Sequence, residues 1–231
     1  MKIGILQTGH APDTLVGETG DYPQMFERLL AGHDFDFATY DVEGGEMPAD
    51  IHDCDGWLIT GSRHGAYESH PWIAPLEALI RKIWAAKLPL VGICFGHQII
   101  AQALGGKVEK FGGGWAVGPT EYEIEGEKII LNAWHQDQVT ALPPEARAVG
   151  SCESGHCSSA ALVYGDSIFT VQPHPEFAAP FVAGLIETRA KGVVPDPLLE
   201  AASARLGDTP TDGARMGARI AAFFLNGGRN G

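Results

Sequence analysis

Apolar and polar residues alternate with two different periods along this chain, and the changes of period mark its elements. Residues Lys2–Gln7 (KIGILQ) are a short apolar run, the pattern of a strand covered on both faces. Residues 8–23 (TGHAPDTLVGETGDYP) are rich in turn formers and read as a loop. PQMFERLLAG, 23–32, has helical spacing and a stop at Gly32. FDFATYDV, 35–42, alternates as a second strand, 47–55 are irregular, and GWLITGS, 56–62, is an apolar strand running into a glycine turn. A longer helix is predicted over 71–87, a strand over 89–94 and a helix over 97–106 closed by Gly105 and Gly106. The order β-α-β-β-α-β-α predicts a parallel sheet with helices on both faces.

The period changes after Gly112. Residues 114–134 read as two strands joined by a tight turn, and 148–155, 159–166 and 167–174 as three more short strands. Helical spacing returns over 180–192, 195–207 and 211–228. The predicted class is α/β, a mixed, mostly parallel central sheet with helices on both faces (a flavodoxin-like three-layer arrangement), a nucleophile elbow and a helical C-terminal tail. One domain is expected over 1–231, with a catalytic core at 1–177 and a helical extension at 178–231.

Composition narrows the function. The 231 residues are 45% hydrophobic and 19% charged, an ordinary globular balance, and the formal net charge is -13. So acidic a chain repels phosphate backbones, so nucleic acid is not an expected partner. No apolar stretch reaches membrane-spanning length, and MKIGILQTG lacks the long apolar region of a secretory signal. With only Cys54, Cys94, Cys152 and Cys157, the expectation is a cytoplasmic protein with free thiols.

The candidate chemistry begins at Gly92-Ile93-Cys94-Phe95-Gly96, placed between a predicted strand and a predicted helix. Gly-x-Cys-x-Gly is the form of a nucleophile elbow: the central residue is driven to positive φ, and the glycines remove side chains that would clash. The following helix aims free N–H groups and its positive end at the sulfur, favouring the thiolate. A small buried residue at a tight corner fits the same local sequence. A nucleophilic cysteine needs a base and a group to orient it. His174 and Glu176, in Val171-Gln172-Pro173-His174-Pro175-Glu176, stand two apart, so an extended segment points both to one side. Both motifs fall at the carboxyl ends of predicted strands, where open α/β sheets place their sites.

GICFGHQ followed by an apolar helix and Gly-Gly, with VQPHPEF about eighty residues later, resembles the class I glutamine amidotransferases, above all the amidotransferase domain of GMP synthases and free-standing relatives. The resemblance implies a triad of Cys94, His174 and Glu176, and an oxyanion hole from the backbone of Gly61 and Phe95. It implies substrate contacts through Gln98 and through backbone near His135, Gln136 and Asp137. The implied reaction is hydrolysis of the glutamine γ-carboxamide through a Cys94 thioester, with ammonia passed to a partner synthase subunit; no cofactor and no metal are expected. Two alternatives accompany it: a γ-glutamyl peptidase acting on glutathione-like peptides, and a catalytically silent regulatory or binding module. A homo-oligomer is left open. The chain departs from the GMP synthase pattern at Gly61-Ser62-Arg63, where Gly-Gly-Pro is usual, and at Pro173, where an aromatic residue is usual.

Other residues admit two readings each. His97 fits packing or support behind the elbow. Cys152, His156 and Cys157 are poorly spaced for structural zinc. Gly112-Gly113-Gly114 lacks the Lys-Ser/Thr of a phosphate loop. Arg63, His64, Tyr67 and Glu68, just past Gly61, read equally as substrate or partner contacts and as a solvated loop.

Overall fold

The computed structural model describes residues 1–152 and 154–227. The helix expected over 211–228, the strand expected over 148–155 and the domain expected over 1–231 each include positions outside the described residues. In chain order the elements are β1 Lys2–Gln7, α1 Asp13–Thr19, α2 Tyr22–Leu29, β2 Asp36–Asp41, β3 Gly56–Ile59, α3 Ile73–Ala85, β4 Leu90–Ile93 and α4 Phe95–Ala103. They continue as β5 Lys107–Lys110, β6 Ala116–Ile124, β7 Glu127–His135, β8 Asp137–Ala141, β9 Ala146–Cys152, β10 Ala161–Tyr164, β11 Ile168–Val171, α5 Ala179–Arg189, α6 Asp196–Leu206 and α7 Gly213–Leu225.

Nine strands form one sheet in the order β2-β1-β3-β4-β11-β10-β9-β6-β7. The first five run parallel, and β10, β9, β6 and β7 extend them by antiparallel pairing. Alternate residues of the parallel strands serve opposite faces. Ile3, Ile5, Leu58, Val91 and Phe169 pack with Phe26 of α2 and with Met216, Ile220 and Phe224 of α7. Leu6, Trp57, Ile59 and Leu90 pack with Leu76 and Ile80 of α3 and Ile99 and Ile100 of α4. Burial of both faces is why these strands read as continuous apolar runs. The last helix is therefore built into the layer that covers the sheet.

The structure corrects the sequence reading in three places. Residues 13–19, expected as loop, form α1, a helix that buries none of its side chains and so carries no apolar stripe to detect. Strands β5 and β8 pair in a separate two-stranded sheet, and their charged residues (KVEK) hid the first of them. Helix α4 starts at Phe95 rather than at residue 97, directly on the elbow. The tight turn between β6 and β7 is Glu125-Gly126, both at positive φ, as a two-residue hairpin turn requires.

Candidate active site

Parallel register assembles the site at one edge of the sheet. Ile93 of β4 pairs with Val171 of β11, so the next residues, Cys94 and Gln172, leave the sheet side by side. Ile59 of β3 pairs with Gly92, so Gly61 emerges beside them. All lie past the carboxyl ends of three adjacent parallel strands, the edge where α/β sheets open their clefts.

Cys94 has φ 52° and ψ -99°, a conformation costing a residue with a Cβ about 1–3 kcal/mol. The fold imposes it by close packing on either side. A Cβ on Gly92 would lie 2.6 Å from the Gly96 carbonyl, and one on Gly96 would lie 2.4 Å from the Ile59 oxygen. The elbow glycines are therefore required by the approach of α4 to β3 and β4, and neither has positive φ. The Phe95 N–H opens α4 and has no acceptor within the helix. The Phe95 ring lies buried against Trp72, 5.5 Å between centroids.

Across from the sulfur, His174 Nδ1 meets Glu176 Oε1 at 2.7 Å, with side-chain exposures of 4% and 1%. The imidazole stacks on Phe177, ring centroids 3.9 Å apart and planes within 4°. On its other side, a Cβ at Gly61 would reach His174 Cε1 at 3.0 Å. The His174 N–H of the backbone donates to Asn132 O at 2.9 Å, and Asn132 Nδ2 donates to Phe177 O at 2.9 Å, which locks the segment to β7. Burial alone would lower the His174 pKa. The charges of Glu176 and of the Cys94 sulfur outweigh it and raise the value to about 10. His174 is thus held as imidazolium near neutral pH, with the Cys94 sulfur close enough to add to that shift by charge and by hydrogen bonding.

Gln172, not singled out from sequence, is buried and donates from Nε2 to Cys94 Sγ at 3.5 Å. Gln98 Nε2 in turn donates to Gln172 Oε1 at 3.1 Å and to Asp137 O at 2.8 Å. The side chain expected to hold substrate thus spends its amide protons on the protein, fixing Gln172 and the 136–137 backbone. A Gln172→Leu variant keeps the volume and removes the donor to sulfur. Its kcat should fall about 10–100-fold with KM little changed, since a hydrogen bond to a charged group is worth about 1.5–3 kcal/mol; steady-state kinetics check this. Gln172 directly precedes the Pro-His-Pro-Glu segment and Phe177 directly follows it, so adjacency to the motif was the signal available for both.

The sulfur and imidazole open into a cavity of about 490 Å³. His135, Gln136, Asp137 and Gln98 line it, as do Trp134 and Arg189. His135 is buried, both ring nitrogens lack partners, and burial with the nearby His174 charge lowers its pKa to about 3. It stays neutral. The Asp137 carboxylate accepts from Tyr67 Oη at 3.2 Å, and burial raises its pKa. Arg189, on α5, had no sequence signal. His97, by contrast, is enclosed behind the elbow, Nδ1 on Thr170 Oγ1 at 2.8 Å, with its pKa lowered to about 3 by burial; it packs and does not face the cavity. Cys152 and Cys157 are buried free thiols, and burial raises Cys157 to about 12.

The family model for glutamine amidotransferase class-I matches residues 32–180. The chain belongs to this family. Among curated relatives, γ-glutamyl peptidase 4 of Arabidopsis thaliana is 30% identical over 73% of this chain and 72% of its own length. The GMP synthase of Thermus thermophilus is 40% identical over a shorter stretch, 42% of this chain and 20% of that protein. A glutamine amidotransferase structure from Methylobacillus flagellatus superimposes with a TM-score of 0.76 at 24% identity, over 98% of this chain and 94% of that one. The chain shares the fold of that structure. No helix among the described residues is long and apolar enough to cross a membrane.

Proposed function

We propose that this chain hydrolyses γ-glutamyl amides by acyl transfer through Cys94, with His174 and Glu176 completing the triad. The observation that carries this reading is the buried 2.7 Å contact of His174 with Glu176 facing a strained cysteine at the mouth of a cavity. The Cys94 thiolate attacks the γ-carbonyl carbon, and the oxyanion takes hydrogen bonds from the Phe95 and Gly61 N–H groups. His174 gives its proton to the departing nitrogen, the C–N bond breaks and a γ-glutamyl thioester remains. Neutral His174 then takes a proton from water, which attacks the thioester; glutamate leaves and the thiolate returns. The Asp137 carboxylate is suited to the α-ammonium group of the γ-glutamyl unit.

Glutamine was the expected substrate, with a γ-glutamyl peptide as the alternative. The cavity favours the alternative. Pockets of about 300–1,000 Å³ enclose drug-sized ligands, and 490 Å³ leaves room beyond glutamine for a peptide leaving group. Arg63, Lys110 and Arg189 on its wall would suit that peptide's carboxylates. The relatives named γ-glutamyl peptidases, matched over 73% of this chain, support the same reading.

The purified chain alone should release glutamate and the free amine from a γ-glutamyl dipeptide or tripeptide, with kcat/KM at least tenfold above that for glutamine. Mass spectrometry should find the γ-glutamyl adduct on Cys94. Turnover of glutamine only would return the reading to ammonia production for a partner. No turnover of any γ-glutamyl compound would sink the free-standing hydrolase.

A further inference from the structure

The loop that leaves Gly61 gathers two imidazoles and a carboxylate that the proposed acyl transfer does not use. Glu68 Oε2 lies 3.3 Å from His64 Nδ1 and 2.7 Å from His70 Nε2. The two rings are 4.0 Å apart between centroids, and His70 stacks on the buried Trp72 with planes within 11°. Among the described residues this is the one group of three His, Cys, Asp or Glu side chains whose donor atoms all lie within 4.8 Å of one another. His64 Nε2, on the far side of its ring, meets Glu43 Oε1 at 3.0 Å. Glu43 also pairs with Arg63 at 3.2 Å.

Both nitrogens of His64 thus face carboxylate oxygens. Arg63 Nε also donates to His64 Nε2 at 3.4 Å, so a neutral ring can place its one N–H at Nδ1 toward Glu68 or at Nε2 toward Glu43. A cation held by Nδ1 fits the second tautomer: Nδ1 gives its lone pair to the ion, and Nε2–H donates to Glu43. This is the usual pattern of a ligating histidine oriented by a carboxylate behind it. The cluster's formal charge, two carboxylates against Arg63, is net negative. Four ligands about 2.0–2.2 Å from a zinc ion stand a little over 3 Å from one another, which matches 3.3 Å and needs the 2.7 Å pair to open slightly. Two nitrogens and one oxygen select a borderline ion, Zn²⁺ or Co²⁺, over Mg²⁺ or Ca²⁺.

We infer that His64, Glu68 and His70 bind one divalent ion of the zinc class at the rim of the cavity. The three ligands leave a fourth position open. His64 and Glu68 line the cavity that holds Cys94, so the ion would sit at its wall. The ion would also tie together residues 64–70, the loop that continues from Gly61. No metal was expected from sequence. His64-x₃-Glu68-x-His70 resembles no zinc spacing, and only the fold of the loop brings the three together.

The test uses the 231-residue Cys94→Ala chain, which removes the proposed nucleophile as a competing ligand. Calorimetric titration with Zn²⁺ should show one ion per chain at micromolar concentration. Co²⁺ should give the visible d–d bands of a four-coordinate ion with no thiolate charge-transfer band. His64→Gln, His70→Gln and the isosteric Glu68→Gln should each abolish binding while circular dichroism stays unchanged. Glu43→Gln should weaken it about 10–100-fold. No stoichiometric binding, a cobalt–thiolate band, or binding indifferent to the Glu68 and histidine variants would each overturn the site.

Discussion

Cys94→Ala should lower γ-glutamyl hydrolysis about 10⁶-fold, as loss of the nucleophile does in other acyl-transfer triads, without unfolding the chain. A second variant separates chemistry from strain. Cys94→Gly is equally unreactive, but glycine adopts φ 52° without the Cβ clash that cysteine and alanine both bear. That clash costs about 1–3 kcal/mol, and the extra freedom of glycine in the unfolded chain gives back about 0.5–1 kcal/mol of it. Cys94→Gly should therefore melt above Cys94→Ala by roughly 2–4 °C, the shift that 1 kcal/mol makes in a chain of this size. Calorimetry of the pair measures it. A Cys94→Gly chain that melts below Cys94→Ala would mean that the elbow stores no strain at Cys94, and activity within about tenfold of wild type in either variant would remove Cys94 as the attacking atom.

The strain is worth its cost only because of what surrounds the sulfur, and much of that was readable. The cysteine elbow and the His-Pro-Glu segment announced themselves by residue type at strand ends, and parallel register did the rest: Ile93 opposite Val171 puts Cys94 beside Gln172. Gly61 was legible as a glycine turn after an apolar strand. What stayed hidden depends on distance in three dimensions. Gln98 looked like a substrate ligand, yet its amide protons turn to Gln172 and the Asp137 carbonyl. Arg189 reaches the cavity from the last turn of α5, where its position in sequence points to no site. The His64–Glu68–His70 convergence needs a loop path that no periodicity encodes, and α1 buries nothing, so no stripe marked it. Residue chemistry at fixed spacing survives in one dimension; convergence of loops does not.

Glu176→Gln tests how the triad is charged. In the folded chain His174 titrates at about 10, because the Glu176 and Cys94 charges outweigh the burial that alone would lower it. The imidazolium should persist across neutral pH, and the basic limb of kcat/KM should fall near pH 10. Glutamine at 176 keeps the shape and removes the carboxylate, the larger of the two raising charges. Burial then counts for more, the His174 pKa drops and the basic limb should move down by at least one pH unit, with the rate reduced about 10²–10⁴-fold. Stability must follow with a definite sign. The folded value lies above the unfolded one of 6.5, so the folded state holds this proton more tightly. The contribution is fully present below about pH 6.5 and is lost as pH rises toward 10. Denaturant midpoints of wild type minus Glu176→Gln should therefore shrink steadily between those limits, other titrating groups cancelling in the difference. A basic limb that stays in place, or a difference independent of pH, would mean that Glu176 only packs against the ring. A carboxylate that shifts both profiles together acts through the imidazolium, which is what a proton donor to a poor amine leaving group requires.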